Sequence, residues 1–126
     1  MFNSIKKVLE KFSFTDEESS DIKRHPILSN RNINYCFKAL TNYINNNNFK
    51  DVIIKIDYGE IYYVDDIYEV TLILLSNEEN KTLVSCHVLS SKRGKSREKL
   101  YAVLDVVNKV INERVSNLWN IYFLKK

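Results

Sequence analysis

The spacing of apolar residues in the first third of the chain predicts two amphipathic helices. From Phe2 to Phe12, apolar residues recur every three or four positions, with lysines on the opposite side. A second helix is predicted after Asn30 or Asn32, either of which can serve as its N-cap, and it should end in the asparagine tract 45–48. Its apolar face comprises Ile33, Cys36, Phe37, Leu40, Tyr43 and Ile44. Both apolar faces should dock on other parts of the fold.

After residue 48 the apolar period changes to two, which is typical of β-strands. In residues 49–58 the side chains alternate between a more apolar and a more polar face. Residues 67–76 carry apolar side chains on both faces, as a central strand does. Residues 82–89 follow after a short polar link, and short links favour pairing between consecutive strands. The sequence therefore predicts an antiparallel meander of three strands.

A long helix is predicted after the basic loop at residues 90–96, with Ser96 as its candidate N-cap. Its apolar positions form two adjacent stripes, Leu100, Leu104, Val107 and Ile111 in one and Val103, Val106 and Val110 in the other. This apolar arc is wider than a surface helix needs, so part of it is available for a second contact, such as a homodimer interface. Residues 119–126 fit either an edge strand or a continuation of the helix.

These elements predict an α+β fold, in which a three-stranded antiparallel β-meander packs against two helices in the order α-β-β-β-α. The N-terminal helix is an additional cover. A length of 126 residues and an apolar content of 44% suit a single domain, residues 1–126, with its own core. We assign residues 31–126 to that core and residues 1–30, the first helix and its loop, to an accessory part.

Cysteine content and hydropathy point to a cytoplasmic protein. The two cysteines, Cys36 and Cys86, are too few for a disulfide framework, and the first residues lack the apolar run of a secretory signal. The longest strongly apolar stretch, residues 70–75, is far shorter than the roughly 20 residues that span a bilayer. We therefore expect free thiols and no contact with a membrane.

Candidate catalytic and metal-binding residues are few. The two histidines, His25 and His87, stand in no catalytic motif, and the two cysteines have no closely spaced companions for zinc. Cys86 and His87 are neighbours on a predicted strand, so their side chains should point to opposite faces. Residues 94–96, Gly-Lys-Ser, precede a helix as in a phosphate-binding loop, but Leu89 stands where that motif requires a second glycine. We therefore expect binding without catalysis, cofactor or metal.

Charge is distributed unevenly along the chain. Residues 81–126 contain ten basic and three acidic side chains, whereas residues 1–80 contain nine basic and thirteen acidic ones. Five basic side chains, which we call the basic set, crowd the start of the last helix: Lys92, Arg93, Lys95, Arg97 and Lys99. Seven acidic or tyrosine side chains, the acidic set, crowd the predicted connection between the first two strands: Asp57, Glu60, Tyr62, Tyr63, Asp65, Asp66 and Glu69. Each set is either a surface for an oppositely charged partner or a solvated loop.

The order of a helix, three strands and a helix, together with the basic run from Lys92 to Lys99, resembles the double-stranded-RNA-binding domain. In that family, basic residues at the start of the last helix meet phosphates across the major groove. The resemblance implies that Lys95, Arg97 and Lys99 contact phosphates. RNA binding is therefore one functional hypothesis.

A protein partner is the hypothesis that we favour from the sequence. The carboxylates of the acidic set would repel phosphates, whereas tyrosines among carboxylates suit the recognition of a basic protein cleft. In type, a small cytoplasmic protein without a cofactor resembles the immunity proteins that neutralise bacterial toxins, many of which are nucleases. Carboxylates would then take the places of phosphates in a nuclease, and inhibition would need no chemistry by this chain.

Overall fold

The computed structural model describes residues 12–77, 80–91 and 95–112. These residues form an α+β fold with one antiparallel sheet of six strands and two helices, as the predicted class requires. In chain order the elements are β1 (Phe12–Phe14), β2 (Ile27–Ser29), α1 (Ile33–Asn46), β3 (Lys50–Lys55), β4 (Glu60–Asp65), β5 (Tyr68–Asn77), β6 (Lys81–Ser90) and α2 (Ser96–Asn112). The predicted N-terminal helix before β1 and the segment 119–126 lie outside the described residues.

The sheet is built around a long hairpin. β5 and β6 pair along their full length, from Tyr68↔Ser90 to Asn77↔Lys81. β4 lies beside β5, and β3 lies beside β4 at one edge. At the other edge, β1 and β2 both pair with β6, β1 near its C-terminal end and β2 near its N-terminal end. The described sheet therefore has one edge formed by two short strands and another formed by β3.

The prediction of three strands is wrong in number, because four strands lie between the helices and two short strands precede α1. The first predicted strand, residues 49–58, ends at Lys55, since Ile56–Tyr58 form a 3-10 turn and Gly59 is left-handed with a φ of 63°. The chain then returns as β4 through the segment that was predicted to be a connection. The interior of β4 is apolar or tyrosine at four successive positions, so it has no alternation of polar and apolar residues to reveal it.

The predicted second helix is confirmed as α1. Its N-cap is Asn32, whose side-chain oxygen accepts a hydrogen bond from the backbone N–H of Tyr35 at 2.8 Å. The helix ends at Asn46, within the asparagine tract. Four residues of its predicted apolar face are buried and the other two pack partly buried against the core: Cys36, Phe37, Leu40 and Ile44, then Ile33 and Tyr43.

Helix α2 buries its first apolar stripe and most of its second within the chain. Val103 is buried together with the first stripe, and Val110 packs partly buried against the same core. Of the second stripe, which was predicted to be available for a homodimer contact, Val103 and Val110 pack in the core, whereas Val106 is half-buried outside it. Neither of the two helices described here is long and apolar enough to cross a membrane.

The core lies between the helices and one face of the sheet. Alternate residues of the three central strands point into it: Ile61 and Tyr63; Val70, Leu72 and Leu74; Val84, Cys86 and Val88. Phe49 closes the core near the β3 edge, with its ring stacked on that of Tyr63 at a centroid distance of 4.4 Å. Both helices occupy this face, so the described residues place no helix over the opposite face, which we call the open face.

Candidate functional site

The acidic set does not form one surface, because β4 separates its members. Asp57 lies on the turn before β4, and Asp65 and Asp66 lie at its far end and on the turn that follows. A strand of six residues, rising about 3.4 Å per residue, places the two ends roughly 17 Å apart. The sequence-predicted partner surface is therefore divided between opposite ends of the sheet.

At the far end of β4, the acidic set meets the basic set. Asp65 forms an ion pair with Lys99 of α2, and the side chains are only 34% and 20% exposed. The Lys99 ammonium also lies 5.4 Å from the centre of the Tyr68 ring. Lys95 has its own acidic neighbour on α2, Glu98, at 3.8 Å. The two sets that were predicted to be rival binding sites therefore neutralise each other in part.

Of the other three members of the basic set, Arg97 is the one that the structure describes. Arg97 is exposed on the first turn of α2. Lys92 and Arg93 lie outside the described residues. Of the three phosphate contacts that the resemblance implies, two are thus engaged with carboxylates of this chain.

Replacing Lys99 with methionine should lower the free energy of unfolding by about 1 kcal/mol, because its partly buried ion pair loses one partner and leaves Asp65 uncompensated. The matched variant Lys95→Met should cost about 0.3 kcal/mol, since its pair with Glu98 is long and exposed. Urea unfolding at low salt measures both changes. Equal costs for the two variants would show that the Lys99–Asp65 pair adds nothing beyond an ordinary surface pair.

Tyr63 was predicted to contact a partner, and the structure places it in the core instead. Its side chain is buried against Phe49, and burial raises the pKa of its hydroxyl. The alternation along β4 explains the difference between Tyr63 and its neighbour Tyr62. Adjacent residues of a strand point to opposite faces, so only one of the two tyrosines can face away from the helices.

Tyr62 lies on the open face beside carboxylates. Its hydroxyl donates a hydrogen bond to Oε1 of Glu69 at 2.6 Å across the β4–β5 pair. The pKa of Tyr62 is raised to about 12. The hydrogen bond is the largest cause, and partial desolvation and the charges of Glu69 and Asp51 add to it. Glu60 lies on the same face two residues earlier in β4. These four residues, Asp51, Glu60, Tyr62 and Glu69, form what we call the acidic patch.

The rest of the open face is unusually apolar for a surface. Six large apolar side chains on it are between 37% and 53% exposed: Phe12, Phe14, Leu28, Ile53, Leu75 and Leu89. The strand registers also align Phe14, His87, Thr71, Tyr62 and Ile53 in one row across the whole sheet. The six apolar side chains form three groups, with Phe12, Phe14 and Leu89 near one end of β6, Leu28 and Leu75 near the other, and Ile53 beside the acidic patch.

An aromatic cluster occupies the β1 side of the open face. The ring of His87 lies 5.9 Å from Phe12 and 6.4 Å from Phe14 between centroids, both edge to face, and the two phenylalanines are 5.6 Å apart. The Arg24 guanidinium lies 5.5 Å from the centre of the Phe14 ring. The spacing of apolar residues predicted that Phe12 would end the first helix, whereas the structure places it in β1. A strand of three residues is too short to show a period of two, so the sequence did not reveal it.

In the part of the chain that the structure describes, Cys86 and the two histidines are not brought together. Cys86 and His87 lie on opposite faces of β6, and burial raises the pKa of the Cys86 thiol, which keeps it protonated. His25 lies elsewhere, with its Nε2 2.7 Å from the carbonyl oxygen of Ser19. Within the described ranges, no three His, Cys, Asp or Glu side chains are grouped so that they could hold a metal ion.

Comparison with known proteins does not assign this chain to a family. No family model, no curated protein and no solved structure matches this chain. Its function therefore has to be inferred from the open face and the charges around it.

Proposed function

We propose that this protein is a non-enzymatic binding module that contacts a partner protein through the open face of its sheet. The observation that supports this most strongly is the grouping of six half-exposed apolar side chains on a single face. Contiguous exposed apolar surface is unfavourable in water and is typical of protein interaction sites. Phe12, Phe14 and Tyr62 are the candidate anchors, because aromatic side chains contribute most to interfaces.

The acidic patch favours a partner whose contact surface has basic groups beside an apolar area. Glu60 and Glu69 adjoin the apolar side chains and would attract such a partner, while the apolar contact would slow its release. A nuclease toxin with a basic active site has this chemistry, so we propose a cytoplasmic inhibitor of the immunity type. Within the acidic set, Glu60, Tyr62 and Glu69 lie in this contact. Asp57, Asp65 and Asp66 lie outside it.

A pull-down from the native lysate with the purified protein, with and without nuclease treatment, tests the proposal. We expect one protein partner in near-stoichiometric amount that nuclease does not remove. The double variant Leu75→Ser/Leu89→Ser should raise the Kd of that partner at least about tenfold in calorimetry, because both side chains lie on the open face.

The matched control is Ile22→Ser. Ile22 is the most exposed large apolar residue among those that the structure describes, at 80%, and it lies beside α2 on the helix side of the molecule. We expect this variant to bind the partner as the wild type does. Loss of binding in the control, or unchanged binding in the open-face variant, would exclude the open face as the contact.

RNA binding is the alternative, and the aromatic cluster is the observation that favours it. Unpaired bases stack on exposed aromatic rings, and Arg24 beside Phe14 could contribute a charge to such a contact. The carboxylates of the acidic patch oppose it, since they would face phosphates. Recovery of RNA that nuclease removes, without a protein partner, would favour this alternative and its divergent double-stranded-RNA-binding-like origin.

A further inference from the structure

The open face carries more apolar surface than its half-exposed side chains alone. Three further apolar side chains on it are only partly buried: Val64 on β4, Ile73 on β5 and Leu83 on β6. Ile73 lies opposite Glu60 of the acidic patch, and Leu83 lies opposite Leu75. The described residues place no helix over these side chains, so a segment with an apolar side of its own can dock there.

We propose that residues 1–11, the N-terminal segment, form an amphipathic helix that docks on the open face of the same chain. β1 starts at Phe12, whose side chain lies on the open face opposite Leu89. The N-terminal segment therefore joins the fold at a corner of this face, beside the aromatic cluster. Its apolar residues recur on one side of a helix: Phe2, Ile5, Val8 and Leu9.

The other end of the described fold is less well placed to supply this helix. Residues 113–126 continue from α2, which lies on the opposite side of the sheet. The last residue of α2, Asn112, donates a side-chain hydrogen bond to the Leu28 carbonyl oxygen of β2 at 3.1 Å. From there the chain would have to pass around β2 to reach the open face.

The length of the N-terminal segment fits the distance that it has to cover. A helix of eleven residues is about 16 Å long. Three strand spacings of about 4.8 Å separate β1 from β4, which makes roughly 14 Å. A helix that starts beside Phe12 can therefore reach Glu60 and Tyr62. Isolated helices of this length are marginal in water, so a stable helix here requires docking.

Charge complementarity favours the same placement. The N-terminal segment contains three lysines and one glutamate, whereas Glu60 and Glu69 lie on the open face. At about 100° per residue, Lys6 lies next to Phe2 at the border of the apolar side of the helix, and Lys7 lies on the outer side. Once the apolar side is docked, the Lys6 ammonium can extend along the sheet to a carboxylate of the acidic patch. Lys7 cannot do so without leaving the outer side.

Docking in cis has a consequence that rests on the proposed function. A partner that binds the open face has to displace the N-terminal segment, so its apparent affinity falls by the fraction of molecules that are undocked. Ile5→Ser/Leu9→Ser, which removes two apolar side chains of the segment, should therefore lower the partner Kd about threefold or more. The docking itself needs no partner, so it can be tested on the isolated protein.

Amide hydrogen exchange followed by NMR tests the docking. In the wild type we expect the amides of residues 5–10 to exchange at least about tenfold more slowly than in an unfolded peptide. Leu89→Ser and the charge reversal Glu60→Lys/Glu69→Lys should each remove most of this protection, because they change the open face. The matched controls Ile22→Ser and Asp57→Lys lie outside that face and should leave the protection unchanged.

A second comparison stays valid even if a variant in the sheet does not fold. Lys6→Glu should lower the protection of residues 5–10 about threefold or more, because a carboxylate then borders the acidic patch. Lys7→Glu makes the same charge change one residue later, and we expect no loss of protection. Exchange of the β5 amides confirms that each variant is folded.

Several results would overturn the proposal. Unprotected amides at residues 5–10 of the wild type would show that the N-terminal segment is not docked. Protection that Leu89→Ser leaves unchanged would place the segment elsewhere on the molecule, and protection that grows with protein concentration would assign the contact to a second copy. Protection of residues 113–126 that Leu89→Ser removes would identify those residues as the occupant. Protected residues 5–10 without a protein partner in the pull-down would support the docking and reject the proposed function.

Discussion

Replacing Leu72 with alanine should lower the free energy of unfolding by about 3 to 4 kcal/mol, the largest effect of a single apolar truncation that we expect in the sheet. Leu72 is only 1% exposed in the middle of β5, and its cross-strand neighbours on the core face are Ile61 and Cys86. Strands on both sides and helices above leave the site little room to collapse. The loss therefore includes a cavity contribution as well as the loss of apolar burial.

Urea denaturation followed by circular dichroism measures the change, with Leu75→Ala as the matched control. Leu75 is on the same strand but points to the open face and is 53% exposed. We expect its truncation to cost about 0.5 kcal/mol, since little buried surface is lost. A similar cost at both positions would mean that the open face is covered in solution as thoroughly as the core face.

Gly59→Ala should lower the free energy of unfolding by about 2 to 4 kcal/mol. Gly59 has a φ of 63°, a conformation that strains residues with a Cβ atom. Space is a second obstacle, because a Cβ at this position would lie 2.5 Å from the carbonyl oxygen of Leu74. The backbone cannot easily move away, since the Leu74 N–H donates to the carbonyl oxygen of Gly59 at 2.7 Å.

Asp66→Gly is the control for the conformational part of this effect. Asp66 has nearly the same φ, 57°, in the turn between β4 and β5. Glycine removes the left-handed strain there, and we expect a change within about 1 kcal/mol of zero. Thermal unfolding of both variants at one pH makes the comparison. Stability of Gly59→Ala equal to that of the wild type would mean that the β3–β4 turn adopts another conformation.

The ion pair between Asp65 and Lys99 changes how the two functional hypotheses should be tested. Charge reversal at Asp65 would place two cations together and destabilise the end of the sheet, whatever the partner is. A loss of binding in such a variant would not identify a contact. Glu60 and Glu69, on the open face, are the better acidic positions to reverse, with the exposed Asp57 as the control outside that face.

Helices and long strands of this fold could be predicted from local pattern. Asn32 caps α1 and the asparagine tract ends it, because side-chain capping and low helix propensity act within a few residues. The β5–β6 hairpin has ten residues in each strand, long enough for alternation to be visible. β1 and β2 owe their strand conformation to pairing with β6, a contact between residues 53 to 77 positions apart, and no local pattern records it.

The α+β class and the apolar faces of α1 and α2 follow from periodicity, because a helix or strand must bury the side on which its apolar residues recur. Which side chains lie together on one surface is decided by tertiary contacts. β4 divides the acidic set between two ends of the sheet, α2 brings Lys99 to Asp65, and β1 adds Phe12 and Phe14 to the open face. Charges that are close in sequence can lie far apart once a strand runs between them, whereas distant residues meet wherever strands pair and helices pack.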